Sequence, residues 1–196
     1  MRRIYRLRLA GVFVATLTLS ACAFSSPALL GEDDIPVEVE ATEITGASLD
    51  WESYFVPDCP EIESYAADLD QQTEFVEGVE YSAPSLTAWR FIQVVFVAEN
   101  SGEAERLARG FSAARPCIGI EDLTTVTPME LESSFDSNLV GTAFRQVTDL
   151  SLLGKVEAVK TMVAIGKHLV YVDVYSFEMS GFGHGRLTEL TKRAIN

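Results

Sequence analysis

Apolar residues alternate with polar ones in several stretches of this chain, a pattern that predicts β-strands. Residues 88–98 are rich in aromatic and β-branched residues and are apolar on both faces in their second half, so we expect a central strand covered on both sides. Residues 156–165 and 169–177 flank Gly166-Lys167-His168, a short hairpin signal that places an exposed polar histidine in the turn. Further strands are expected at residues 73–82, 122–132 and 143–152.

Helical spacing occurs in two longer stretches and one short one. Asn100 and Glu103 have the spacing of a capping box, and an apolar stripe at helical spacing follows: Ala104, Leu107, Ala108 and Phe111. A second stripe closes the sequence: Leu187, Leu190, Thr191 and Ala194. Pro60 indicates the start of a further helix of no more than two turns. We therefore expect a single α+β domain with a mainly antiparallel sheet and two substantial helices.

The first 22 residues have the organisation of an export signal. Four arginines precede a short apolar run, and Leu19-Ser20-Ala21-Cys22 resembles the bacterial lipobox. We interpret residues 1–21 as a lipoprotein signal peptide and Cys22 as the lipid-modified first residue of the mature protein. The apolar run is shorter than the roughly 20 residues that span a bilayer. The expected location is the outer face of the cell membrane, with lipid as the anchor; an ordinary secreted protein is the alternative.

Charge restricts the partners of this chain. It has 15 basic and 29 acidic residues, and removal of the four leader arginines leaves 11 against 29, a net charge of −18. Such a surface excludes nucleic acid and argues against adhesion to anionic lipid. Residues 22–47 are acidic and poor in aromatic residues, which predicts a flexible tether ahead of a domain at residues 48–196.

Cysteine usage indicates one disulfide. With Cys22 taken by lipid, Cys59 and Cys117 are the remaining pair, and a disulfide between them can persist outside the cytoplasm. Two separate buried thiols are the alternative.

The order of these features resembles the extracellular sensor domain of PknH-type actinobacterial protein kinases and related lipoproteins. Three places carry the resemblance: the strand and helix from Phe91 through Ala104 to Cys117, the hairpin at residues 162–172, and the closing helix. Together they cover most of residues 55–196. The resemblance implies one α+β module with a cleft that senses or binds a small extracellular ligand. This chain departs from the family in having Ala113-Ala114-Arg115-Pro116 where a Trp is usual, and in having cysteines for one disulfide instead of two.

No catalytic or metal-binding constellation is evident in the sequence. His184 stands in a glycine-rich connection, and Ser180 near it lacks a third partner of the kind that nucleophilic catalysis needs. We predict no enzyme activity, no catalytic residue, no metal and no cofactor. An envelope hydrolase, which requires His184 to meet a serine or a carboxylate, is the least favoured alternative.

Aromatic residues on the strands are the candidate recognition surface. Amphipathic rings beside an arginine are typical of binding sites. With His184, the candidates are Tyr81, Trp89, Arg90, Tyr171 and Tyr175. The alternative for each ring is packing beneath a helix. The function we expect is a non-catalytic, sensor-like domain for an unknown envelope ligand, and the alternative is a structural or assembly lipoprotein that contacts other envelope proteins.

Overall fold

The computed structural model describes residues 27–46, 55, 59–83, 89–119, 122–131, 139–151, 154–177 and 184–195. Its strands are β1 Glu40–Ile44, β2 Thr73–Ser82, β3 Trp89–Ala98, β4 Thr124–Met129, β5 Val140–Asp149, β6 Lys155–Ile165 and β7 His168–Phe177. Its α-helices are α1 Pro60–Gln72, α2 Ser101–Gly110 and α3 His184–Ile195. The strands form one antiparallel sheet in the order β1-β2-β3-β7-β6-β5-β4. The predicted fold class, a single α+β domain with a mainly antiparallel sheet, is confirmed.

The sheet is covered on both faces because its central strands are apolar on both faces. On β3, Ile92 and Val94 point into the core beneath α1 and α2, and Phe91 and Val95 point into the core beneath α3. We call the face of the sheet beneath α1 and α2 the first face, and the face beneath α3 the second face. Burial of both faces confirms that residues 88–98 contain a central strand. It also explains why β7 has no wet side over most of its length: residues 168–174 are all buried.

The turn between β6 and β7 sets the register of the central hairpin. Ile165 pairs with His168, so Gly166 and Lys167 form a two-residue turn. Gly166 has a φ of +59°, which a glycine adopts without steric cost. The turn is where the sequence predicts it, but His168 is the first residue of β7 and is buried. The expectation of an exposed turn histidine is therefore wrong, because the turn is one residue shorter than the predicted one.

Helix α2 begins and ends as its sequence predicts. The Asn100 side chain accepts a hydrogen bond from the Glu103 amide at 3.0 Å and so caps the first turn. The chain continues as a 3-10 helix over Phe111–Cys117. Phe111 is fully buried, and its ring packs 5.8 Å from the rings of both Phe144 and Tyr171. This aromatic contact seats the helix on the first face.

Helix α1 is longer than predicted. It runs for 13 residues instead of two turns, because Ile62, Tyr65 and Leu69 recur at helical spacing and are all buried. The Tyr65 hydroxyl donates to the Leu107 carbonyl of α2 at 3.1 Å. Burial raises the pKa of Tyr65, so it stays a neutral donor. The described residues therefore contain three substantial helices, not two.

Much of the predicted tether belongs to the domain. Residues 40–44 form β1, which pairs with β2, and Ile35 is buried against the second face. Four other side chains of this segment also pack against that face: Leu29, Leu30, Val37 and Val39. For residues 27–46 the prediction of a flexible tether is wrong, because sparse apolar residues cover sheet surface that α3 leaves open. Residues 22–26 and 47 lie outside the described residues.

Gln93 fastens this N-terminal segment to the rest of the domain. Its buried amide accepts from Leu30 N at 2.9 Å and donates to Ala28 O at 3.2 Å and to Ala194 O at 2.9 Å. The Tyr81 hydroxyl adds a bond to Leu30 O at 2.7 Å. One glutamine in β3 thus holds the N-terminal segment and the end of α3 on the same patch of sheet.

We expect Gln93→Leu to destabilise the domain by about 1–3 kcal/mol, because it leaves the buried carbonyl of Ala194 without its partner and removes two part-buried bonds to the N-terminal segment. Amide hydrogen exchange at Leu30 should rise at the same time, and urea unfolding gives the free energy. Gln146→Leu is the control: Gln146 on β5 is half-buried and its amide donates one hydrogen bond, to Thr148, so its loss should cost no more than about 1 kcal/mol. Unchanged exchange at Leu30 in Gln93→Leu would contradict this account.

Candidate functional site

Cys59 and Cys117 form a disulfide, with their Cα atoms 5.7 Å apart. It joins the start of α1 to the end of the 3-10 helix, as the cysteine count predicts. Glu61 lies close to both sulfurs, and in the described part of the chain these three residues form the group whose ligand atoms are near enough to share a metal ion. Both sulfurs are used in the disulfide, so the group has no thiolate to offer a metal.

Three of the predicted binding residues are core residues. Tyr81 and Trp89 are buried on the second face, and Tyr171 is fully buried on the first face against Phe111. Burial and the carboxylate of Glu32 raise the pKa of Tyr81, whose hydroxyl is already bonded to Leu30. A ligand cannot reach these rings without opening the core. These three rings pack in the core, as the alternative interpretation holds.

Arg90 and Tyr175 are brought together on the first face. They are register partners on β3 and β7, and the guanidinium carbon lies 4.9 Å from the centre of the tyrosine ring. Both residues are half-buried. Glu80 on β2 lies 4.0 Å from Arg90. An arginine stacked over an aromatic ring is held in a defined orientation.

A buried ion pair lies directly beside them, and neither of its residues is among the predicted site residues. Lys160 Nζ is 2.5 Å from Asp173 Oδ2, with side chains 7% and 0% exposed. The ring of Phe55 lies over the ammonium group, 5.2 Å from the ring centre to Nζ. The second oxygen, Asp173 Oδ1, is buried and has no hydrogen-bond partner among the described residues. An acceptor buried in this way is costly unless something donates to it.

The register of the sheet explains why these four side chains share one place. Lys160 pairs with Asp173 across β6 and β7, Tyr175 follows Asp173 by two residues, and Tyr175 pairs with Arg90. Because side chains alternate in a strand, all four point from the first face. We call them the sheet-face cluster. It begins where the apolar packing beneath α2 ends: Lys160 and Asp173 form the second residue pair along the hairpin from Met162 and Tyr171, on the side away from the turn.

A sequence signal for the ion pair was present. Lys160 and Asp173 are the charged residues in the buried middle of their strands, and a two-residue turn at Gly166-Lys167 sets them directly opposite each other. The three-residue turn that the sequence predicts would shift the register by one residue, and Lys160 and Asp173 would not be partners.

The remaining predicted sites are described less fully. His184 is the first residue of α3, and its side chain lies outside the described part of the structure. Ser180, Cys22 and the whole of residues 1–21 also lie outside it. No helix in the described ranges is long and apolar enough to cross a membrane.

A separate surface cleft of about 390 Å³ lies at the other end of the sheet. Its polar lining comes from the end of α1 and the turn after β6, and includes Gln71, Glu99 and Lys167. It shares no residue with the sheet-face cluster or with the predicted binding residues.

The chain is similar to two solved mycobacterial structures. The extracellular domain of PknH from Mycobacterium tuberculosis matches with a TM-score of 0.48 and 11% identity, over 81% of this chain and 76% of that one. An Rv0999 ortholog from Mycobacterium smegmatis matches with a TM-score of 0.41 and 12% identity, over 84% of this chain and 90% of that one. No family model and no curated protein matches the chain. The first of these structures is an extracellular domain of the kind that the sequence resembles, and with TM-scores below 0.5 neither likeness bears on the ligand or activity of this chain.

Proposed function

We propose that this protein is a lipid-anchored, extracytoplasmic, non-catalytic domain that binds a small envelope ligand at the sheet-face cluster. The anchor rests on the Leu19-Ser20-Ala21-Cys22 tetrad behind a basic and apolar leader. The Cys59–Cys117 disulfide supports an oxidising compartment, because such bonds are rare in the reducing cytosol.

One observation carries the ligand site: the Lys160–Asp173 ion pair is buried in the sheet beside the half-buried Arg90–Tyr175 pair. A buried ion pair is weak evidence for stability, since apolar residues of similar volume often serve as well or better. Its presence in the buried middle of the hairpin therefore favours a functional reason. Arg90 is the member of the cluster that combines charge with access, because its side chain is 23% exposed.

The cluster indicates the chemistry of the ligand. Arginine binds carboxylate and phosphate groups through paired hydrogen bonds, and Arg90 is oriented for this by the ring of Tyr175. Asp173 is fully buried, so the accessible charge of the cluster is that of Arg90. We infer a small anionic molecule. The ion pair sets the position of Tyr175 and the local field, and Arg90 makes the contact.

Native mass spectrometry tests the proposal on protein purified from its own host membranes. We expect a co-purified small molecule in the wild-type protein and its loss in Arg90→Gln, because a charge-assisted hydrogen bond of about 1.5–3 kcal/mol corresponds to about 10- to 150-fold in affinity. Arg109→Gln is the matched control, since Arg109 is exposed on α2 and pairs only locally with Glu105. Equal retention of the molecule in both variants would overturn the assignment, and so would no bound molecule in the wild type, which would favour an assembly role instead.

The anchor has its own test. We expect the intact mass of the membrane-extracted protein to equal that of a chain that begins at Cys22 and carries acyl groups, and Cys22→Ser to release the protein from the membrane fraction. An unmodified Cys22 in membrane-extracted protein would refute the anchor. It would leave the ligand site untouched.

A further inference from the structure

The outward face of α3 is basic in a strongly acidic protein. The helix contains three basic residues, Arg186, Lys192 and Arg193, all exposed, and one acidic residue, Glu189, which lies 3.7 Å from Arg193. The other two helices differ. Helix α2 has two arginines and two glutamates, whose charges balance, and α1 has four acidic residues and no basic one. The overall charge of −14 therefore conceals a helix with three basic side chains against one acidic one.

The same part of the domain lies next to the expected lipid anchor. Gln93 Nε2 donates to both Ala28 O and Ala194 O, so the residue that follows Arg193 is held beside the start of the N-terminal segment. Six residue steps separate Cys22 from Ala28. A chain of that length spans at most about 20 Å even when fully extended. The predicted tether of residues 22–47 would let the domain stand far from the membrane in any orientation. The short stretch from Cys22 to Ala28 keeps this part of the domain close to the membrane.

We propose that the exposed face of α3 docks on the anionic phospholipid headgroups of the membrane that carries the lipid anchor. The proposal rests on the proposed function for the anchor, and adds the orientation of the domain. Basic residues near an anionic bilayer are attracted to it within about one Debye length of the surface. The anchor supplies the proximity, and Arg186, Lys192 and Arg193 supply the attraction.

One acidic element opposes this arrangement. Glu32, Asp33 and Asp34 form an exposed 3-10 turn on the same side of the sheet, near Tyr81. The turn is repelled by the same headgroups that attract α3. The two forces together tilt the domain, with α3 toward the bilayer and the acidic turn away from it. The first face, with the sheet-face cluster, then points away from the membrane toward solvent and ligands.

Lysine footprinting provides the test, because three exposed lysines report three directions. Lys192 lies on α3, whereas Lys155 and Lys167 lie at opposite ends of β6. The lipidated full chain is placed in vesicles of phosphatidylcholine alone or with phosphatidylglycerol, and is acylated with a water-soluble succinimidyl ester. We expect Lys192 to react about fivefold more slowly on the anionic vesicles, with Lys155 and Lys167 unchanged, and high salt to remove the difference.

Charge variants separate docking from general attraction. Arg186→Gln with Arg193→Gln should abolish most of the protection of Lys192, whereas Arg106→Gln with Arg109→Gln, an equal loss of charge on α2, should leave it unchanged. Equal reactivity of Lys192 on both kinds of vesicle, in protein whose intact mass includes lipid, would overturn the docking surface alone. An intact mass without lipid would overturn the anchor and, with it, the docking geometry.

Discussion

Reduction of the Cys59–Cys117 disulfide should lower the free energy of unfolding by about 4 kcal/mol. The bond links residues 58 positions apart. Cross-linking a loop of that length removes conformational entropy from the unfolded chain worth about 4 kcal/mol at room temperature. Urea unfolding of the protein with and without a reductant measures the difference and should show a large shift of the midpoint.

The comparison of oxidised and reduced wild-type protein introduces no substitution, so it isolates the covalent bond. A second measurement, on Cys59→Ser, should give a similar loss, because Cys59 is only partly buried and its replacement creates little cavity. Cys117→Ser should cost more, since Cys117 is fully buried and the substitution places a polar hydroxyl in the core. An unchanged midpoint on reduction would mean that the bond does not constrain the unfolded chain.

Lys160→Met should destabilise the domain by about 3–5 kcal/mol. It removes the ammonium partner of Asp173 and leaves a carboxylate buried with neither oxygen satisfied. The loss is large because the group lies in the middle of the sheet, where water cannot replace the lost partner. Thermal or urea unfolding measures it.

The double variant Lys160→Met with Asp173→Leu should recover most of that stability, because two apolar side chains need no charged partner. It should nevertheless lose the co-purified ligand if the cluster binds one. The exposed Arg109–Glu105 pair is the control, and Glu105→Gln should cost no more than about 0.5 kcal/mol. A loss in Lys160→Met as small as that in the control would show that the buried pair is not a structural constraint.

The strands could be predicted because their patterns are local. Residues 73–82 were located to the residue, and the hairpin of β6 and β7 follows from two β-rich stretches around Gly166. The cap of α2 is also local, since Asn100 and Glu103 are three residues apart. The length of helix α1 was underestimated because its apolar stripe has few members: Ile62, Tyr65 and Leu69. That stripe is buried only through contacts with α2 and the 3-10 helix, which the local sequence does not show.

The candidate site was harder to predict because residue type does not specify the face of a strand. Tyr81, Trp89 and Tyr171 have the chemistry of binding residues, but the sheet turns them into two different cores. Arg90 and Tyr175 were among the predicted residues and do meet, because they pair across two strands that are 85 residues apart in sequence. The ion pair between Lys160 and Asp173 depends on a turn one residue shorter than assumed.

By itself the sequence determined the elements with strong local periodicity, the single possible disulfide once Cys22 is set aside, and the strongly acidic surface. Only the tertiary structure decided that residues 27–46 belong to the domain. A few apolar side chains are too sparse to predict order until a sheet face and the Gln93 amide exist to receive them. Tertiary structure also segregated the charge, because net charge is a sum over the chain, whereas attraction to a surface depends on which side of the fold each charge occupies.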